Sequence, residues 1–196
     1  MSNQCATPRF RMGFPKLMTP ENDLQGRSMY SVTALIPKDA DLTVVKAACK
    51  AAIVAKWGED EAKWPKDLKL PFGDGNTKGK VGADGVFKPY NGYADTIVLN
   101  LKRKAEQGPP TVVGPNPHNV ITDPNEVYAG RWAKAYISFY AYDKAGNRGV
   151  GVGLNHIQLL EHDEMLGGVP QAADIFADES GEKKEAVPSA AKSFLS

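Results

Sequence analysis

Between Lys134 and Leu160 the chain reads KAYISFYAYDKAGNRGVGVGLNHIQLL, and its apolar and polar positions alternate with the two-residue period of a β-strand. Ile137, Phe139 and Ala141 share one face, while Tyr136, Ser138, Tyr140 and Tyr142 share the other. The segment DKAGNR then reverses the chain. With Lys144 to Asn147 as a four-residue loop, Tyr142 pairs with Gly149, Tyr140 with Gly151 and Ser138 with Gly153, and Phe139 faces Val152 and Ile137 faces Leu154. The predicted hairpin has one apolar face and one face of tyrosine rings over bare backbone. Glycine weakens a strand and often marks a place where something approaches closely. Three glycines at alternate positions therefore predict a ligand on the tyrosine face, or a second core into which the rings are packed.

The same reading extends upstream. PRFRMGFPKL sets Phe10, Met12 and Phe14 against Arg9, Arg11 and Gly13, a half-buried strand with a basic outer face. SMYSVTALIP is a second strand, ended by Pro37. In DADLTVVKAACKAAIVAKWG the apolar residues Leu42, Val45, Cys49, Ala52 and Ile53 recur at helical spacing, with Asp39 or Asp41 to cap the start and Gly58 to close the end. Cys49 lies on the apolar stripe and reads as a buried thiol. Residues 59–95, including GDGNTKGKVGADG, carry little periodicity and predict a long mobile loop. In TIVLNLKRK, Ile97, Leu99 and Leu101 share a face and the strand runs into Lys102, Arg103 and Lys104. TVV adds a short strand among proline-punctuated turns. From about Phe176 onward ADESGEKKEAVPSAAKSFLS is small, polar and charged, which predicts a flexible acidic tail at 177–196 after a domain at 8–176.

Charge sharpens this picture. The formal net charge is +1, but residues 1–160 carry 21 Lys+Arg against 15 Asp+Glu and residues 161–196 carry 3 against 8. A body of +6 joined to a segment of −5 suits a polyanion-binding domain with an acidic appendage, and a tethered anion can compete for a cationic groove. No apolar run of about 18 residues predicts a membrane span. No secretory h-region precedes the first strand, and the two cysteines, Cys5 and Cys49, make no disulfide framework, so the expected compartment is a reducing cytoplasm.

Catalytic constellations are missing. The spacing in GDGNTKGKV does not fit a phosphate-binding GxxxxGK[ST] loop, since Val81 stands where Ser or Thr is needed. His118, His156 and His162 lack metal-ligand spacing, and Asp123 and Glu126 in ITDPNEV fit a turn better than an acid/base pair. No metal, cofactor or enzymatic activity is expected. What remains is a mostly β domain, an OB-fold-like small barrel with a long hairpin and one main helix, in which aromatics alternate with cations. Single-stranded nucleic acid exposes flat bases that stack on such rings and phosphates that follow such cations. The expected contacts are Tyr136, Tyr140 and Tyr142, Trp132 with Arg131 and Lys134, Tyr93, and the cations Arg9, Arg11, Lys102, Arg103, Lys104 and Arg148. A glycan-binding or virion structural module is the alternative, because sugars also stack on tyrosines but do not need these cations. A nuclease is disfavoured by the absent carboxylate and histidine set.

DPNEVYAGRWAKAYISFYAYDKAGNRGVGVGLNHIQLLEHDEMLGGVPQAADIF resembles the C-terminal half of the phage OB-fold single-stranded DNA-binding proteins once grouped as a domain of unknown function. The shared features are a YxG before a strand, the FYAY strand, a GN.G…GLN.IQ return and an LGG…A.D.F ending. RFRMGFPKLMTP, SMYSVTALIPK and WPKDLKLPFGDG extend the similarity over nearly all of residues 8–176. The resemblance implies an OB fold and sequence-tolerant binding of single-stranded DNA in phage replication, repair or recombination, without catalysis and in the cytoplasm of a bacterial host. Replication or recombination proteins and a second copy of the chain are the other partners it leaves open. Unlike replication binders with a strongly acidic end and terminal aromatic, this chain ends in the nearly neutral AVPSAAKSFLS.

Overall fold

Alternating strands of this length must find partners for both edges, and here they do so by closing on themselves. The computed structural model describes residues 2–167. Its elements are β1 (Gln4–Ala6), β2 (Phe10–Asn22), β3 (Ser28–Pro37), α1 (Thr43–Trp57), β4 (Gly73–Asp74), β5 (Gly79–Val81), β6 (Phe87–Pro89), β7 (Thr96–Lys104), β8 (Thr111–Val113), β9 (Trp132–Lys144) and β10 (Asn147–Leu159). β2 pairs with β3, β3 with β7, β7 with β10, β10 with β9 and β9 with β2, so five strands form a ring. Only the β7–β10 contact in that ring is parallel. This is the small OB-like barrel expected, and closure removes the free edges that invite aggregation. β1 adds to β9 beside β2, ahead of the expected start at residue 8, and β8 runs parallel to β10.

The hairpin register is the one read from the sequence: Tyr142 opposite Gly149, Tyr140 opposite Gly151, Ser138 opposite Gly153, Phe139 opposite Val152 and Ile137 opposite Leu154. Its turn is tighter than expected. Lys144 pairs with Asn147, leaving Ala145 and Gly146 as a two-residue loop with φ of 49° and 81°. Two positive φ values give a turn whose twist matches that of the flanking strands. A β-bulge between Leu154 and His156 bends the return strand further along.

Inside the ring, Phe10, Met12, Leu17, Val32, Leu99, Leu101, Ile137, Phe139, Val152, Leu154 and Ile157 form a continuous core. α1 packs against β1 and β9 with Val45, Ala48, Cys49, Ala52 and Ile53 buried. Asp41 Oδ1 accepts from the Thr43 amide at 2.8 Å, and Gly58, at φ 85°, donates to the Val54 carbonyl at 2.8 Å.

Two expectations are corrected. Phe14 does not continue the buried set of Phe10 and Met12: the β2–β3 register shifts between Gly13 and Lys16, and Phe14, at φ 45°, turns outward with 63% of its surface exposed. An extra residue in one strand reverses which face its neighbours take, so Leu17 fills the core instead. Residues 59–95 are not an unstructured loop. They contain β4, which pairs with β7, and the β5–β6 ribbon. Strands this short leave no period to read. The tail expected at 177–196 lies outside the described residues.

Phe139 is fully buried, and Phe139→Ala is expected to cost about 3–5 kcal/mol in urea unfolding. A loss of only ~0.5 kcal/mol, typical of surface sites, contradicts its place in the core. Burial raises the pKa of Cys5 and pushes that of Cys49 up to about 11. The thiolate is the reactive form, so neither cysteine should react with an aromatic disulfide at pH 8 until the protein is unfolded. Rapid labelling of the native chain would show that the seam between α1 and β9 opens.

Candidate nucleic-acid interface

The outer side of the ring is low. Thr33 lies between Gly13 and Asn100 in one row, and Ser31, Lys102, Gly153 and Ser138 form the next. Thr33 Oγ1 bonds Asn100 Oδ1 at 3.1 Å. Apart from Lys102 these are glycine and short polar side chains, and beside them two tyrosines lie on Gly149 and Gly151. A Cβ on Gly151 would lie 2.3 Å from Tyr140 Cζ, and one on Gly149 would sit 2.6 Å from Tyr142 Oη. Both rings therefore rest on main chain. Tyr140 keeps 55% of its surface exposed. A ring filling a second core would be covered, so that alternative fails for Tyr140.

Tyr140 and Lys102 line both of two clefts of about 520 and 670 Å³. Lys69, Phe72, Lys78 and Tyr142 line the first. Arg27, Arg103, Lys104 and Ser138 line the second. Lys78 and Lys102 have no ion-pair partner among the described residues. Lys69 Nζ donates to Asn147 Oδ1 at 2.9 Å, and Lys104 lies 3.0 Å from Glu106. Arg103 donates to the Gly108 and Gln107 carbonyls, each at 2.8 Å, and so shapes the turn after β7. Arg148 stands at the hairpin edge between Asp143 and Asp67, which raise its pKa.

Sequence reasoning missed Arg27, Lys69 and Lys78. Arg27 is held by Asp23 at 2.6 Å, and its hydrogen bond is the main reason that the Asp23 carboxyl is lowered to about 2. An Asp four residues before an Arg in a glycine turn was the only available sign. Lys69 and Lys78 lie in a stretch whose path the sequence pattern did not reveal.

Other expected contacts lie elsewhere. Tyr136 is 41% exposed but further along β9, where it stacks on His156 at 6.4 Å and donates to Gln4 Oε1 at 3.2 Å; exposed Lys134 follows on the same side. Arg9, Arg11 and Trp132 lie under residues 161–164. The Arg9 guanidinium sits 4.2 Å over the Trp132 ring and pairs with Glu161. Trp132 Nε1 donates to Asp163 at 2.7 Å, and Arg11 donates to the Gly130 carbonyl at 2.9 Å while lying 3.4 Å from Asp163. The Glu164 amide, followed by the Trp132 indole, holds the Asp163 carboxyl below its usual range. Arg131 is 3% exposed and spends its donors on the Leu160 and Glu126 carbonyls and the Glu126 carboxylate. Tyr93 is buried beside Leu35 and Val98. A buried charge needs its partners, so Arg131 fastens the end of the barrel, and Tyr93 is a packing residue.

Among the described residues, no three His, Cys, Asp or Glu side chains gather as a metal site would require. Fold and face together define a small β-barrel with one open side of glycines, exposed rings and lysines. The chain belongs to the family described as Enterobacter phage Enc34, ssDNA-binding protein, whose model matches residues 3–187. It is similar to the structure of the single-stranded DNA-binding protein from bacteriophage Enc34 in complex with ssDNA, with 20% identity and a TM-score of 0.62 over 84% of this chain and 90% of that one. It is also similar to gp2.5, a single-stranded DNA binding protein encoded by bacteriophage T7, with 18% identity and a TM-score of 0.52 over 95% and 98% of the two chains. No curated protein matches the chain.

A ring lying on a glycine shields the protons beneath it. The Gly151 Hα resonances are therefore expected upfield in the proton spectrum and should return to ordinary positions in Tyr140→Ala, where the ring is removed. Ordinary Gly151 shifts in the unmodified protein contradict the placement.

Proposed function

We propose that this protein binds single-stranded DNA with little base preference, without catalysis, on the glycine-floored face of the barrel, in phage DNA replication, repair or recombination within the cytoplasm of a bacterial host. The observation that carries the reading is the Tyr140 ring, laid on Gly151 and open to solvent beside Lys102. An exposed ring stacks on any base, because every base has a π-face, and the cations on both sides follow the backbone. Membership of the phage family supports the reading. Sugars would use the rings but would gain nothing from Lys69, Lys78 and Lys102, so the cations favour phosphate. No helix among the described residues is long and apolar enough to cross a membrane.

Titration with oligothymidylate at several salt concentrations tests the proposal. A barrel of this kind is expected to occupy about 4–16 nucleotides, with log affinity falling against log salt at a slope of about −0.7 per phosphate neutralised. Tyr140→Ala is expected to weaken binding by about 1–3 kcal/mol and to leave the unfolding midpoint near that of the parent. Absence of binding at low salt would overturn the function. A Tyr140→Ala protein that binds normally would remove the stacking role.

A further inference from the structure

β5 and β6 pair only with each other and stand apart from the barrel ring as a two-stranded ribbon. Such a ribbon is marginal in water by itself, and its root is accordingly fastened. The Asp95 amide donates to Asn76 Oδ1 at 2.9 Å, Tyr90 packs edge-on against Tyr93 at 5.7 Å, and Gly75 lies so close to the Tyr93 carbonyl and Thr96 that no side chain would fit there.

Lys80 pairs with Lys88 and Val81 with Phe87. One step nearer the root, the Tyr90 amide donates to the Lys78 carbonyl at 2.9 Å. Strand alternation therefore sets Lys78, Lys80, Lys88 and Tyr90 on one face and Val81 with Phe87 on the other. Like charges directly opposite one another destabilise a pair of strands. Asp84 in the turn meets Lys88 at 2.9 Å, while Lys78 and Lys80 have no acidic partner among the described residues. The repulsion is thus left half relieved, on a surface that an anion would complete. Lys78 also lines the cleft beside Tyr140 and Lys102, so the lysine face of the ribbon continues the cationic wall of the binding face.

We propose that the β5–β6 ribbon is an arm of the single-stranded DNA site, whose lysine face takes the phosphates of the strand where it leaves the cleft past Lys78. This rests on the single-stranded DNA reading above. It gives the site a length beyond the barrel face and makes the contribution of Lys80 and Lys88 depend on how long the bound strand is.

The test uses the full chain and the double variant Lys80→Gln, Lys88→Gln, which changes two exposed side chains and leaves the cleft intact. Affinity is measured against salt for oligothymidylates of about 6 and about 20 nucleotides, lengths within and beyond the range that one such barrel covers. The expected result is a salt slope shallower by about 1.4 for the longer strand, at about 0.7 for each lost phosphate contact, with the shorter strand unaffected. An unchanged slope on both strands overturns the arm, and so does an equal loss on both. Failure of the unmodified chain to bind either strand takes down the parent reading as well.

Discussion

The turn at Ala145 and Gly146 sets which residues of β9 face the core, and the ring-bearing outer face follows from that register. With strand period two, a slip of one residue would carry Phe139 and Ile137 to the solvent side and Tyr140 into the barrel. The cost of exposing those core residues holds the register. The same register places Tyr140 over Gly151 and Tyr142 over Gly149, so the core chemistry of one face positions the rings on the other. Lys102 enters through the single parallel contact of the ring, opposite Gly153. Barrel closure and the cationic floor are therefore consequences of the same pairing.

Cations divide into two groups by what surrounds them. Arg131 is buried and its donors are consumed, and Arg9 and Arg11 meet the acidic residues Glu161 and Asp163 that follow β10. These arginines fasten the chain after the last strand. Lysines at 69, 78 and 102 line an open cleft, where their charge faces solvent or ligand. A planar guanidinium with five fixed donors suits the fastening of carbonyls and carboxylates, and a flexible ammonium suits a mobile phosphate backbone. This division explains why residues of the same sign and similar setting in the sequence end in different roles.

Long alternating segments were legible. The hairpin register, the helix with its Asp41 and Gly58 ends, and the buried face of β7 follow from the period of the apolar positions, because burial imposes those patterns. The bulge in β2 was not legible, since the sequence goes on alternating through Phe14 and only the pairing register shows the extra residue between Gly13 and Lys16. Lys69, Lys78 and the ribbon escaped for a related reason: strands of two or three residues in a glycine-rich stretch carry no period. Trp132 with Arg131 and Lys134 reads as an aromatic-and-cation site because the sequence does not reveal that Arg9 and residues 161–164 come to lie against Trp132. Pairing of rings with cations does not tell a covered cluster from an open one in the sequence; the glycines opposite the rings do mark where Tyr140 lies open on main chain.

Photo-crosslinking with an oligonucleotide carrying 5-iodouracil, followed by mass spectrometric mapping of the adducts, tests the placement of the site most directly. Stacked aromatic side chains give the adducts, so the account predicts crosslinks at Tyr140, with Tyr142 and Tyr90 as further positions along the strand. Crosslinks confined to Trp132 and Tyr128, on the side covered by Glu161 to Glu164, would contradict it.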